Sequence, residues 1–265
     1  MSNLRSRTLR TPAIVLRQTE FAEADRVLTL YTRALGKLRA VAKGVRRITS
    51  RKAGHLEQFQ TTDVLLARGR DLYVVTQAEV LNAHRAIRED LQRMSYASYC
   101  MELLDQFTVE DDEAHPALYD LAAQALTWLD ESHNLGVTTR YYELRLLDLV
   151  GYRPELEVCV VSGQVVQPED QFFSVVDGGV VRPGMVAAGG NAGMIPLSLA
   201  ALKVLRYLQR SAYAAVAGLT LSAPVASEVE TIMQRYLGAI LERQPRSMAF
   251  IRQVRRTGQG LTDEE

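Results

Sequence analysis

Five short segments rich in Val, Leu, Thr and Tyr lie between residues 12 and 80, and each ends at glycine or at polar residues. This pattern is typical of strands in a compact antiparallel β unit. The segments cover residues 13–17, 27–33, 37–43, 56–67 and 72–80. An open sheet of short strands exposes unpaired backbone groups at its edges, so such a unit has to close or cover them. A small barrel is therefore the predicted architecture.

The OB-fold is a five-stranded barrel that leaves one face and its loops available to oligonucleotides. An SH3-like barrel is the alternative that the pattern leaves open. After residue 80 the apolar period lengthens from two residues to nearly four, which indicates helices. Helical spacing covers residues 84–108, 116–132, 139–150, 196–210 and 224–243.

We therefore predict an α+β multidomain protein. Residues 1–80 form a basic OB-fold domain, and residues 81–253 form an all-helical domain. Glycines interrupt a weak β pattern at residues 151–195, which predicts an irregular β-hairpin insertion there. The polar, glycine-bearing tail at residues 254–265 is expected to be disordered.

Charge is divided unevenly along a chain with no net charge. Residues 1–80 carry a net charge of +8, from 15 cations and 7 carboxylates, and residues 81–265 carry −8. From Arg26 to His55 there are nine cations and no carboxylate. Such a segment projects a positive field that suits a polyanion. The alternative is that the basic and acidic parts attract each other inside one fold.

Side chains alternate along a strand, so Lys37, Arg39 and Lys43 are expected to share one face. The loop that follows would extend this face along a phosphate backbone. Tyr31 is a candidate platform for base stacking. The predicted phosphate contacts are Arg33, Lys37, Arg39, Lys43, Arg46, Arg47, Arg51 and Lys52.

Catalytic motifs are missing from the sequence. It contains no phosphate-binding glycine loop, no His-Glu-x-x-His motif and no Gly-x-Ser-x-Gly elbow, so we predict no catalytic residue and no enzyme. Two cysteines are too few for a disulfide framework. No apolar run is long enough to cross a bilayer, and no secretory leader or membrane partner is expected. We expect a cytoplasmic protein.

Three stretches give the chain a family resemblance. They are TPAIVLRQTEFAEADRVLTLYTRALGKLRAVAKGVRR, AGHLEQFQTTDVLLARGRDLYVVTQAEVL and YYELRLLDLVGYRPELEVCVVSG. The chain resembles the RecO family, the recombination mediators of bacterial DNA repair. The resemblance implies an OB-fold followed by a helical domain, binding to single- and double-stranded DNA, and annealing of complementary strands. It also implies a nucleoid-associated location, partnership with RecR, contact with the acidic C-terminal tail of SSB, and indirect loading of RecA.

Binding of an acidic tail that ends in apolar residues requires a hydrophobic groove flanked by cations. Arg140 with Arg145, or Arg206 with Arg210, could flank such a groove on the leucine-rich helices. An RNA-binding OB-fold protein associated with translation or ribosomes is the alternative function, and it would prefer RNA over single-stranded DNA.

Many similar proteins carry four zinc-binding cysteines in two Cys-x-x-Cys pairs after the Gly-Tyr-Arg-Pro element. Here the first pair reads Cys159-Val-Val-Ser162, and the second reads Arg182-Pro-Gly-Met185. One thiolate cannot form a tetrahedral zinc site by itself. We therefore predict that the zinc site is lost, and that packing of residues such as Val160 and Phe173 keeps the shape of the hairpin. No cofactor is expected.

Overall fold

The computed structural model describes residues 8–47, 50, 52–185 and 193–260. By its contacts the chain divides into two compact units. The first comprises Met1–Glu131 together with Phe250–Glu265, and the second comprises Ser132–Ala249. Within the described ranges, no helix combines the length and the apolar character that a bilayer-spanning segment needs.

A closed five-stranded barrel begins the first unit, and its strand order is β1-β2-β3-β5-β4. Strand β1 pairs with both β2 and β4, while β3 and β5 close the barrel in parallel. This is the OB-fold, so the barrel prediction is confirmed and the SH3-like alternative is wrong. The strands are β1 Thr8–Phe21, β2 Asp25–Thr32, β3 Gly36–Ala42, β4 Thr61–Arg68 and β5 Tyr73–Asn82.

Alternate residues of the strands fill the barrel. On β3, Leu38, Ala40 and Ala42 are at most 2% exposed and pack in the barrel core. The predicted fourth strand, residues 56–67, starts later than expected. A short 3₁₀ turn at Ala53–His55 and the positive φ of 64° at Phe59 keep the preceding residues out of the sheet.

Helices α1 Arg85–Glu89, α2 Leu91–Phe107 and α3 Pro116–Glu131 follow the barrel within the first unit. The predicted single helix over residues 84–108 is interrupted at Asp90. This residue is extended, and its carboxylate accepts a hydrogen bond of 2.8 Å from the N–H of Arg93, so it caps α2. The break reflects capping chemistry that overrides an apolar period continuous in the sequence.

The second unit is helical and contains a small sheet of order β7-β6-β8, as the predicted insertion requires. Pro196 does not open a helix as expected, because it lies on the edge strand β8 opposite Phe172. Ser198 caps the next helix instead. The elements are α4 Leu135–Leu149, β6 Gln171–Ser174, β7 Gly179–Val181, β8 Met194–Leu197, α5 Leu199–Arg210, α6 Tyr213–Val216 and α7 Ala223–Leu241.

Helix α8 Ser247–Gly260 extends beyond the predicted end of regular structure at residue 253. Residues 254–260 are therefore helical rather than disordered, and residues 261–265 lie outside the described part of the chain. Gly151 follows the end of α4 with a φ of +83°, a conformation that glycine adopts without strain.

Asp105 on α2 joins this helix to the barrel. Its carboxylate, 4% exposed, pairs with Lys37 Nζ of β3 at 2.7 Å and with the guanidinium of Arg17 of β1. Lys37 Nζ also donates to the carbonyl oxygens of Asp105 and Thr108, at 2.7 and 3.1 Å, near the C-terminal end of α2. A cation at this end of a helix is stabilised by the helix dipole.

We expect Asp105→Ala to lower the free energy of unfolding by about 3 kcal/mol, because it leaves the mostly buried Lys37 without its carboxylate partner. Chemical denaturation of the purified variant measures the change. Glu110→Ala, which removes an exposed carboxylate just after α2, is the control. Equal denaturation midpoints for the two variants would contradict the role assigned to Asp105.

Candidate nucleic-acid interface

Three of the predicted phosphate contacts are paired with carboxylates of the first unit. Arg33 forms a bidentate salt bridge with Asp120 of α3, in which Nε donates to Oδ1 at 2.8 Å and Nη2 donates to Oδ2 at 3.1 Å. These contacts raise the pKa of Arg33. Lys37 is held by Asp105, as described above. Internal attraction between the basic segment and acidic helices thus accounts for part of the charge pattern.

Arg46 belongs to the same class. Its guanidinium lies 3.2 Å from the carboxylate of Glu20 and also donates to the carbonyl oxygen of Glu23 at 3.4 Å. Sequence reasoning also missed Arg17, which shares Asp105 with Lys37. The partner of Arg17 lies 88 residues away, so no local pattern could have revealed the pair.

A cleft of about 480 Å³ collects the cations of a second class. Lys43, Arg47 and Lys52 line it, and its lining contains no carboxylate. None of these three side chains forms an ion pair with any residue that the structure describes. Lys52 Nζ donates to the carbonyl oxygen of Val75 at 3.2 Å, while Lys43 and Arg47 are exposed. The lining of the cleft therefore presents three cations and no carboxylate.

Local turns build one wall of this cleft. Gly44 leaves β3 with a φ of +65°, and its N–H donates to the carboxylate of Asp25 at 2.7 Å. The N–H of Arg46 bonds to the carbonyl oxygen of Ala24 at 3.0 Å, which ties the loop to the turn between β1 and β2. These two hydrogen bonds hold the start of the loop in a position where Lys43 and Arg47 line the same cleft.

Strand β5 supplies the other wall through Thr76, Gln77 and Ala78. Sequence reasoning did not include these residues. They meet Lys43 because β3 and β5 pair in parallel, and that pairing joins segments distant in sequence. The sequence predicts a closed barrel, and closure requires that β3 pair with a second strand. It does not predict which residues of that strand face the cleft.

Arg39 lies on the outer face of β3, exposed and opposite Thr29 of β2. Its placement matches the predicted alternation, since Leu38 and Ala40 point into the core. Arg51 is outside the described residues. The candidate interface therefore consists of Arg39 and the cleft cations.

Tyr31 is not available for stacking, because it is only 2% exposed. Its hydroxyl donates to the carbonyl oxygen of His115 at 3.4 Å. Burial, with a smaller contribution from the negative charge of Asp112, raises the pKa of Tyr31 to about 12. Alternation alone placed this ring on the outside of β2, but the segment before α3 covers it.

The buried phenol of Tyr31 should ionise near pH 12 rather than pH 10. Because the pKa is raised in the folded state, its contribution to stability is fully present below about pH 10 and is lost as the pH rises towards 12. Tyr31→Phe should make this alkaline loss of stability smaller. Tyrosinate absorbance in folded and denatured protein, together with denaturation at both ends of this range, measures the effect; equal losses in the variant and the parent would show that Tyr31 ionises normally.

The four arginines proposed to flank a peptide groove are used within the second unit. Arg140 is buried and pairs with Glu143 at 2.7 Å, so it cannot lie beside a surface groove. Arg145 lies over the ring of Tyr141, with its guanidinium carbon 5.0 Å from the ring centre, and donates to a backbone carbonyl. These contacts stabilise the position of α4 within the second unit.

Arg206 and Arg210 lie on α5 and share one carboxylate. Arg206 donates twice to the carbonyl oxygen of Leu156, at 2.9 and 2.6 Å. Both guanidinium groups approach Glu157, Arg206 at 3.5 Å and the more exposed Arg210 at 2.5 Å. These two arginines therefore hold the segment that leads into the hairpin.

The residues around Cys159 do not fit a zinc site. The thiol is buried, and its sulfur accepts the N–H of Arg182 at 3.5 Å. Burial raises the pKa of the Cys159 thiol, but hydrogen bonds from the Ser162 hydroxyl and from nearby backbone N–H groups outweigh burial and hold the pKa at about 7. These hydrogen bonds make the thiol more acidic than an ordinary cysteine, yet no cluster of three or more metal-binding side chains occurs among the described residues.

Packing occupies the interior of the hairpin region. Phe173 is 1% exposed, and its ring meets that of Tyr236 edge to face, with 5.3 Å between ring centres. Aromatic pairs of this geometry add stability beyond their buried area. The fold of this segment therefore has an apolar source of stability.

We expect elemental analysis of the purified protein to find well below one zinc per chain, because a single thiol supplies one of the four donors that zinc requires. Treatment with a chelator should leave the thermal unfolding midpoint unchanged. Stoichiometric zinc, or destabilisation by the chelator, would contradict this expectation.

The barrel and the chain as a whole match known proteins. Residues 5–84 match the family model "Recombination protein O N terminal", and residues 88–249 match "Recombination protein O C terminal". Proteins called DNA repair protein RecO from Roseiflexus sp. (strain RS-1) and from Desulforudis audaxviator are each 40% identical to the chain. The alignments cover 95% of this chain and 88% of the Roseiflexus protein, and 92% and 96% for the Desulforudis protein.

A DNA repair protein RecO from Dehalococcoides mccartyi is 34% identical over 91% of this chain and 94% of its own length. The two family models together span nearly the whole sequence, and the relatives are covered almost end to end. The chain belongs to the RecO family.

Proposed function

We propose that the chain is a non-enzymatic mediator of DNA repair and recombination that binds DNA phosphates in the barrel cleft. The observation that carries the proposal is the cleft itself, in which Lys43, Arg47 and Lys52 meet without a carboxylate. Cations that neutralise phosphates release counterions, which supplies most of the affinity of sequence-independent binding. The names of the relatives support DNA repair as the setting.

The division between paired and unpaired cations gives this proposal its residue assignment. Arg33, Lys37 and Arg46 each have a carboxylate within 3.2 Å, so their charge is largely compensated before any ligand arrives. Lys43, Arg47 and the exposed Arg39 have no such partner among the described residues. We infer that these unpaired cations are the principal phosphate contacts.

Annealing follows from the same electrostatics. Neutralising the phosphates of one strand reduces the repulsion that keeps a complementary strand away, and this step needs no nucleotide hydrolysis. In this proposal the protein binds single- and double-stranded DNA, cooperates with RecR, contacts the acidic tail of SSB and promotes RecA loading. It works in the cytoplasm at the nucleoid. The SSB tail docks on residues other than the four arginines described above, because the second unit uses them internally.

The double variant Lys43→Gln, Arg47→Gln should reduce the salt dependence of oligonucleotide binding. Each lost contact with a single strand lowers the slope of log K against log salt by about 0.7, so the pair should lower it by about 1.4. Fluorescence anisotropy over a salt series measures the slope. The same samples should also anneal complementary oligonucleotides more slowly.

The control removes the same amount of charge from paired cations, through Arg33→Gln with Arg46→Gln. Because both lie in partly exposed ion pairs, their loss should alter folding little and change the slope less than half as much. Equal effects of the two double variants would refute the assignment to the cleft. An RNA strand of the same sequence serves as competitor, and preference for RNA at equal salt would favour the RNA-binding alternative.

A further inference from the structure

A second basic segment without carboxylates lies near the C-terminus. From Arg243 to Thr262 the sequence contains five arginines and no acidic residue. Most of this segment forms α8. Surfaces of ordinary proteins interleave charges of both signs, so an acid-free helix calls for a separate explanation.

The arginines of α8 divide into two roles. Arg255 is partly buried, and its Nε donates to the hydroxyl of Tyr96 on α2 at 3.0 Å. Its guanidinium carbon also lies 5.4 Å from the centre of the Tyr96 ring. Together with Ile251, which is 5% exposed, Arg255 forms the packed side of the helix.

Arg252 and Arg256 lie on the exposed side of α8. They are four residues apart, so they are neighbours on one helix face, about 6 Å apart along the axis. Neither forms an ion pair with any residue in the described ranges. These two guanidinium groups thus present their donors to solvent.

The neighbours of this arginine pair indicate the kind of partner. The exposed residues beside them are Ala249, Gln253 and Thr257, which offer no large apolar side chain to anchor a peptide. Guanidinium groups match the geometry of phosphate oxygens and can bind them through two hydrogen bonds. The surface therefore suits a phosphate backbone better than an acidic protein segment.

We propose that α8 is a second DNA-binding surface, with Arg252 and Arg256 as a pair of phosphate contacts. This inference rests on the proposed function, since it adds a further contact site to a DNA-binding protein. A protein with two phosphate-binding surfaces can hold two segments of backbone at the same time, which is the arrangement that pairing of complementary strands requires.

The test uses the full-length double variant Arg252→Gln, Arg256→Gln in the same anisotropy salt series with single-stranded DNA. Loss of two contacts should lower the slope by about 1.4 and weaken binding roughly 25-fold at 0.1 M salt. The thermal unfolding midpoint should stay at the parent value, because the packing of Arg255 and Ile251 is untouched. The charge-matched control is Lys203→Gln with Arg235→Gln, two exposed cations on helices of the second unit, and it should leave the slope unchanged.

Three results would overturn the inference: an unchanged slope in the α8 variant, an equal change in the control, or a fall in the unfolding midpoint that accounts for the lost binding. The cleft variant Lys43→Gln, Arg47→Gln is measured beside them. If the cleft variant lowers the slope and the α8 variant does not, only the role of α8 is wrong. If neither variant changes the slope, the proposed function itself is wrong.

Discussion

The carboxylate of Asp105 is the constraint on which the arrangement of the first unit depends. It lies between Lys37 of β3 and Arg17 of β1, so one buried acid on α2 fixes two strands of the barrel. A buried acid with a single weak partner would be costly, and two cations with good geometry offset that cost. The same contact removes Lys37 from the set of cations that a ligand can reach. One interaction thus joins α2 to the barrel and takes Lys37 out of the set of unpaired cations.

The cations of the basic segment consequently have two roles: some pair with carboxylates of the helices, and others line the cleft. The composition of the segment does not show which cation has which role. Cations near the start of β3 and at the end of β2 hold acidic helices, as Lys37 does with Asp105 and Arg33 does with Asp120. Cations beyond the end of β3, Lys43 and Arg47, line a cleft that contains no acid. The proposed interface is therefore smaller than the run of charge in the sequence, and it is concentrated at one end of the barrel.

Local patterns were sufficient to predict the barrel and its inside and outside faces. The two-residue alternation of Leu38, Ala40 and Ala42 agrees with the outward placement of Lys37 and Arg39 on β3, whereas Lys43 lies just beyond the end of this strand. Local patterns could not reveal partners far along the chain. Asp105 and Asp120 lie 68 and 87 residues from the cations that they pair with, and Tyr31 is covered by a segment 84 residues away. The C-terminal helix was missed because polar and glycine-bearing composition outweighed its arginine-rich amphipathic spacing.

One wall of the cleft comes from the loop that follows β3, and the other comes from β5. The parallel pairing of β3 with β5 joins only Ala40 with Tyr73 and Val41 with Val74. This short seam is the place where the barrel closes. A polyanion can contact both walls only while β3 and β5 are paired. Binding of a polyanion to the cleft and closure of the seam are therefore linked equilibria. Under the proposed function, bound DNA would stabilise the closed β3–β5 seam. Local opening of this seam would become rarer as the DNA concentration rises.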